Sequence, residues 1–344
     1  MNIKIEAPLV CICIPTYNAE KTVRDTLGSI LSQSYENLRI HVVDNASTDH
    51  TLNIVAEFDD HRIMIHRNEV NLGGEGNFNR CLVLARGKYT AIYHADDIYD
   101  PTMIATQVAF LEQHPEAGAV FTQALVIDED ARVIGAMHKP KNLASHGAVH
   151  YFPEVFKAIL EHSNFLICPS AMALTSVYQN EVKCWRGELF GSSADLDVWL
   201  RILLRGPVGV LPQATMRYRI SQSQGSANVR LDIGRAAFFS VVDYYLAQPE
   251  VRSLLTVDDL MNYQRLENRD RVMRAVNALL QDQPGRAAIL CPEVFSRCTM
   301  KAAWQTRRGM IVLALALYLK VMLALRWHRV AKATLIHLKR MANK

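Results

Sequence analysis

The sequence predicts an α/β fold, a mainly parallel sheet covered by helices on both faces, followed by a helical C-terminal region. Three observations predict it. Short apolar runs end abruptly at polar residues, the stretches between them carry apolar residues at helical spacing, and beyond about Gln224 nearly everything reads as helix. The 344 residues leave room for two domains, or for one large α/β domain with an appendage, at roughly 150 residues per domain. Half the residues are apolar, 21% are charged and there are only 16 Gly and 12 Pro, which excludes collagen-like, low-complexity and disordered chains.

Leu9 to Ile14 (LVCICI) is a continuous apolar run stopped by Pro15, expected as a strand buried on both faces. A helix follows over Ala19 to Leu31, with Val23, Leu27, Ile30 and Leu31 at helical spacing, and the next strand, Leu38 to Val43, ends at Asp44. Ser47, Thr48 and Asp49 can cap the helix carrying Leu52, Ile54 and Val55. Further strands are expected at Ile63 to His66, Tyr89 to Tyr93 and Ala119 to Ile127, and helices at Gly76 to Ala85 and Pro101 to His114, with Gly73 to Gly76 read as a flexible turn. After Gly135 the pattern loosens into a helix over Val149 to Glu161, a strand at Ala171 to Leu174 and an amphipathic helix over Asp195 to Leu204. In such a sheet, ligands bind outside the carboxyl ends of the strands, where the polar loops Pro15 to Asn18, Asp44 to Asp49 and His94 to Asp97 converge. The first strand-to-helix turn is PTYNAEKT rather than GxGxxG, so a dinucleotide fold matches poorly.

Charge divides the chain. From Arg297 to Lys344 there are 11 Lys and Arg and no acid, so residues 1–296 hold 27 cations against 34 anions, a net −7. An acidic body with a basic tail points to a local anionic partner such as a phospholipid surface, and not to nucleic acid. Met310 to Leu325 is apolar at 15 of 16 positions, Lys320 being the exception. As a helix it spans about 24 Å, short of the roughly 30 Å hydrocarbon core. Arg307, Arg308, Arg326 and Arg329 flank it and Trp304 and Trp327 lie near its ends, so residues 304–344 are expected to lie on an anionic membrane surface. Packing on the domain or on a second copy in a homo-oligomer is the alternative, and a full span a third. The seven cysteines include no CxxC, and MNIKIEAPLV lacks the pattern of a secretory signal, so the expected location is cytoplasmic, peripheral on the inner face of the cell membrane.

Asp96 and Asp97 follow the strand YTAIY. Adjacent carboxylates strain each other, which a divalent cation relieves while bridging phosphates. Alone, the pair could equally be a helix cap or a solvated turn. Its neighbours extend the pattern: IPTYNAEKTVRDTLGSILSQSY, then IHVVDNASTDHTLNI, then NLGGEGNFNRCLVLARGKYTAIYHADDIYDP, and later ADLDVWLRILLRG and LPQATMRYRISQSQGS. In order and spacing these resemble family 2 glycosyltransferases of the GT-A fold, a Rossmann-like nucleotide-binding architecture, over roughly residues 8–227.

The resemblance implies that Pro15, Thr16, Tyr17 and Asn18 line a nucleotide pocket, and that Asp44 accepts a hydrogen bond from the base. It also implies that Asp96 faces the ribose or diphosphate, and that Asp97 holds Mn²⁺ or Mg²⁺ against the pyrophosphate of a nucleotide-diphosphate sugar. Asp195 falls at the catalytic base and Arg219 at a residue pairing with the leaving diphosphate. Asp197 is a weaker candidate for acceptor contact, and Trp199 reads as core. The sequence departs from the family at His94, where many members have Asp, at Ala194, where most have Glu, and at Ser221, which stands at a His position. His94 reads as a strand-end histidine or an indirect partner of the site.

The expectation is a GT-A domain over 1–227 (donor half about 8–130, acceptor half about 131–227) and a helical region over 228–344. The implied activity is inverting, metal-dependent transfer from a UDP-sugar to a hydroxyl of a glycan or lipid-linked (polyprenol) acceptor in bacterial surface polysaccharide synthesis. The rivals are a non-catalytic membrane-docked scaffold and a nucleotidyltransferase; the latter would want a Gly-rich, Lys/Arg-bearing first loop that PTYNAEKT does not supply.

Overall fold

The computed structural model describes residues 7–143, 149–221, 233–290 and 292–342. The chain forms two compact units, Met1–Phe156 with Asn164–Ser221, and Lys157–Ser163 with Gln222–Lys344.

The first unit is built on a ten-stranded sheet. Its elements begin β1 Val10–Thr16, α1 Val23–Leu31, β2 Leu38–Asp44, α2 Thr51–Ala56, β3 Ile63–Arg67, α3 Gly73–Leu84 and β4 Tyr89–Ile92. There follow β5 Ile98–Tyr99, α4 Met103–Gln113, β6 Ala119–Ile127, β7 Val133–Met137, β8 Val149–His150, α5 Phe152–His162 (from Lys157 on, part of the second unit), β9 Met172–Leu174, α6 Ala194–Leu203 and β10 Val208–Arg219. The main strand order is β3-β2-β1-β4-β9-β6-β10-β5. Strands β3, β2, β1 and β4 are all parallel, as the helix-connected pattern requires. Beyond them the sheet is mixed: β6 and β10 are parallel, while β5, β7, β8 and β9 join antiparallel. The apolar side chains of β1, β2 and β4 (Val10, Ile12, Ile14, Ile40, Val42, Ala91) form the core with Leu27 and Ile30 of α1 and Met103 and Ile104 of α4.

Three sequence expectations shift. Strand β1 runs through Pro15 to Thr16, in register with Val43 and Asp44, so Pro15 ends the apolar run but not the strand. The glycines at 73, 74 and 76 form the first turn of α3, because Asn71 Oδ1 accepts the Gly73 N–H and Asn45 Oδ1 accepts the Leu72 N–H, and so anchor its start. Strand β10, 12 residues long, is absent from the sequence reading. Its pairing with β6 breaks register between Val210 and Ala214, around Pro212, and this irregularity hides the strand period. Gly209 in β10 is enforced by packing, since a Cβ there would meet the Phe110 ring at 2.2 Å.

The second unit is helical: α7 Ala237–Leu246, α8 Val257–Leu280, α9 Pro284–Leu290, α10 Arg297–Trp304, α11 Arg307–Ala324 and α12 His328–Ala342. The 24-residue α8 starts in a capping box, Thr256 Oγ1 accepting the Asp259 N–H while Asp259 Oδ2 accepts the Thr256 N–H at 2.8 Å. Val272, Ala275, Val276 and Leu279 of α8 pack with Ala316, Leu319 and Met322 of α11 and Ala331 and Leu335 of α12. The opposite face of α11 exposes Met310, Ile311, Leu317, Val321 and Leu325. Lys320 turns its ammonium onto the Phe295 ring, 4.6 Å from its centroid, which accommodates the one charge in the apolar run. Among the described residues, no helix is long and apolar enough to cross a membrane.

Candidate active site

The carboxyl ends of the four parallel strands carry the polar residues that the sequence singled out. Thr16 closes β1 buried, its hydroxyl without a hydrogen-bond partner, and Tyr17 follows half exposed. Asn18 takes the left-handed conformation (φ 48°) tolerated by Asn. Its N–H donates to Ser47 Oγ at 2.9 Å and its Oδ1 accepts the Thr48 N–H at 2.9 Å, binding the first loop to the second. Asp44, fully buried at the end of β2, accepts the Ser47 N–H on Oδ2, while its Oδ1 has no partner. The register pairs Asp44 with Arg67 at the end of β3, whose Nε lies 3.8 Å from Asp44 Oδ2. Arg67 is a candidate that the sequence reading missed; the signal is its place as the last residue of a parallel strand.

The His94 to Asp97 loop follows β4 and is held by its backbone. The four carbonyls of His94, Ala95, Asp96 and Asp97 accept from Tyr99 Oη (3.3 Å), Thr22 Oγ1 (2.9 Å), Arg219 Nε (2.8 Å) and Thr26 Oγ1 (2.7 Å). Asp97 is fully buried; its Oδ1 accepts the Arg219 N–H at 2.8 Å and its Oδ2 has no partner. Burial, and then the neighbouring Asp96 charge, push the Asp97 carboxyl well above the usual range, against the stabilising Arg219 N–H. His94 lies with its Nδ1 4.0 Å from Asp97 Oδ2, and burial lowers its pKa. Ligand atoms of His94, Asp96 and Asp97 lie within 4.8 Å of one another. A buried carboxylate oxygen without a donor, beside a second carboxylate and an imidazole, fits a divalent cation.

Arg219 is 4% exposed, and its guanidinium donates to the carbonyls of Asp96, Asp128 and Glu129 and lies 3.8 Å from Asp25. It therefore fixes the acidic loop. Asp197, fully buried, is clamped between Arg186 and Arg201 as an ion pair. Trp199 is core, edge-on to Phe121 with centroids 5.0 Å apart. Asp195 opens α6, and its Oδ1 accepts the Leu196 N–H at 2.7 Å. Burial raises its pKa to about 6, opposed by hydrogen bonds that include one to Asn164. A carboxylate with that value is a base poised just below neutrality.

A family profile described as "Glycosyl transferase family 2" matches residues 11–180, which include the first two loops, the acidic loop and β9. The chain belongs to this glycosyltransferase family. The EpsE protein of Bacillus subtilis is 28% identical over 295 residues, 80% of this chain and 99% of that protein. WfaP of Escherichia coli, a UDP-Glc:alpha-D-GlcNAc-diphosphoundecaprenol beta-1,3-glucosyltransferase, is 29% identical over 200 residues, 58% of this chain and 71% of WfaP. In fold, the chain is similar to Staphylococcus aureus TarS 1–349, solved in complex with UDP-GlcNAc, with a TM-score of 0.61 at 16% identity over 93% of this chain and 92% of that one. The glycosyltransferase thus has the GT-A fold with a C-terminal helical region. Its acidic loop carries His94 as a third prospective ligand, which the sequence reading had placed outside the metal shell.

Proposed function

We propose that this glycosyltransferase moves a sugar from a UDP-linked donor to a hydroxyl of a polyprenol- or lipid-linked glycan in bacterial surface polysaccharide synthesis, with inversion at the anomeric carbon. The observation that carries the reading is the pair of buried carboxylate oxygens without partners, Asp44 Oδ1 and Asp97 Oδ2, on loops at the same end of the parallel strands. Asp44 is suited to accept the N3–H of a uracil, and the half-exposed Tyr17 ring offers it a face; Pro15, Thr16 and Asn18 complete that wall. Asp97, with Asp96 beside it toward the ribose or diphosphate, would hold Mn²⁺ or Mg²⁺. When bound, the cation supplies Lewis-acid neutralisation of the diphosphate leaving group. Asp195 removes the acceptor hydroxyl proton as that oxygen attacks the anomeric carbon, and Arg219 keeps the acidic loop in place. We assign the donor half to residues 8–130 and the acceptor half to 131–227.

The name of WfaP, whose acceptor is diphosphoundecaprenol-linked, supports a lipid-linked acceptor. The helical unit supports the same end: α11 and α12 expose a stripe of apolar side chains between Trp304 and Leu338, rimmed by Arg307, Arg308, Arg326 and Arg329. That pattern suits an anionic bilayer surface, which would hold the enzyme beside such an acceptor.

Calorimetric titration with UDP, dTDP, GDP and ADP, in Mn²⁺ and in EDTA, repeated on Asp97→Ala, tests the donor half. UDP binding that needs both the metal and Asp97 is the expected result. Absence of nucleotide binding in every condition, from folded protein, overturns the reading in favour of a membrane-docked scaffold.

A further inference from the structure

The acidic loop departs from an all-oxygen site at one position, and the departure has a geometry. His94 Nδ1 and Asp97 Oδ2 face each other at 4.0 Å. That is too long for a hydrogen bond. At roughly 2.1–2.2 Å per bond, two ligands of one ion stand up to about 4.4 Å apart, so this gap suits a shared cation. With Asp96, the ligand atoms of all three residues lie within 4.8 Å of one another. Asp97 Oδ2 is fully buried and has no donor, and His94 Nε2 is likewise buried without a partner. The imidazole is set from the side by Phe78, edge-on at 5.7 Å, which is backed by Trp185 at 5.2 Å. The backbone carbonyl of His94 accepts from Tyr99 Oη at 3.3 Å, and Tyr99 stacks on Tyr93 at 4.0 Å, which holds the main chain that carries the ring. The ring is thus oriented by an aromatic wall and aimed at the carboxylate.

We infer that His94 is a direct nitrogen ligand of the cation held by Asp97, and that it favours first-row transition cations over Mg²⁺, Co²⁺ more strongly than the harder Mn²⁺. The inference rests on the donor-site reading above and adds to it. Mg²⁺ prefers hard oxygen donors and keeps its waters, whereas an imidazole nitrogen suits the later ions. A carboxylate at position 94 would complete an oxygen-only set; the imidazole exchanges one anionic oxygen for a neutral nitrogen. The site then carries one negative charge less, which weakens its hold on a hard cation most.

Two measurements test this. Pulsed EPR of the Mn²⁺-loaded full chain with UDP, prepared with ¹⁴N-histidine and again with ¹⁵N-histidine, reads nitrogen bound to the metal; the expected result is a coupling that changes with the isotope. Calorimetry compares Mn²⁺ with Mg²⁺ on wild type, His94→Asp and His94→Ala, each checked for a native melting transition. His94→Ala is expected to lose Mn²⁺ affinity by about tenfold or more. His94→Asp is expected to keep Mg²⁺ binding while the Mn²⁺-over-Mg²⁺ preference shrinks by a similar factor. UDP binding that needs metal and Asp97, but with no isotope-sensitive coupling in the wild type, overturns the His94 inference alone. Failure to bind any metal or UDP overturns it together with the donor-site reading.

Discussion

The two units solve opposite problems with the same kinds of residue. In the α/β unit polar groups are driven inside: Thr16, Asp44, Asp97, Asp197 and Arg219 are all buried, with backbone N–H groups meeting one oxygen each of Asp44 and Asp97, carbonyls meeting Arg219 and arginine side chains meeting Asp197. In the helical unit apolar groups are left outside: ten large apolar side chains are exposed between Trp304 and Leu338, a stretch with no acidic residue. Burying a polar atom without a partner is costly, as is exposing a contiguous apolar stripe. Each unit therefore keeps its exceptions where something else can satisfy them. The orphaned carboxylate oxygens lie at the strand ends, and the apolar stripe lies on the face of α11 turned away from its own core.

The comparison can be broken from either side. The largest expected effect is at Asp195: Asp195→Asn lowers turnover of a UDP-sugar by about 10²–10⁴-fold with UDP affinity unchanged in calorimetry. With Asp195 as the base, the wild-type rate is expected to show a matching acid limb. The base must be ionised, its pKa is raised to about 6 by burial, and so activity is full above that value and lost as pH falls through it. A pH–rate profile flat from pH 5 to 8, in round numbers about a pKa near 6, would remove Asp195 from that role. Next comes Asp97→Ala, expected to weaken metal-dependent UDP binding about 100-fold while leaving vesicle binding intact. Conversely, Leu317→Ser with Val321→Ser should lower cosedimentation with anionic vesicles about tenfold and leave UDP binding unchanged. Retained vesicle binding would assign that face to protein packing. The smallest is Thr256→Ala, which removes half of the α8 capping box and should cost about 1 kcal/mol in chemical denaturation followed by helix content.

Much of the first unit was legible because its buried strands are rich in apolar residues and stop at polar ones: Ala119 to Ile127 coincides with β6, and Leu38 to Val43 falls within β2, which adds Asp44. What escaped is long-range. Strand β10 is broken at Pro212 and recognisable only from its pairing with β6. The hydrogen bonds of Arg219 reach residues 90 to 123 positions away, which a motif read along the sequence does not register, whereas Asp197 pairs locally with Arg186 and Arg201. The hold of Arg219 on the carbonyls of Asp128 and Glu129 is visible only in the fold. The 4.0 Å separation of His94 from Asp97 is likewise set by the fold and not by the identity of either residue. The helical unit was legible as helix but not as core, because α11 is apolar on every side and only packing against α8 distinguishes its two faces.

The four successive carbonyls of His94 to Asp97, each taken by a side chain from elsewhere in the same unit, have a kinetic meaning. A loop fastened at every peptide has lost its freedom during folding, before any nucleotide arrives. Capture of the nucleotide by this loop should then be a single encounter without a slow rearrangement. In stopped-flow mixing of metal and UDP with the protein, the observed rate should climb in proportion to nucleotide concentration; a plateau would reveal a loop that must first let go of those donors.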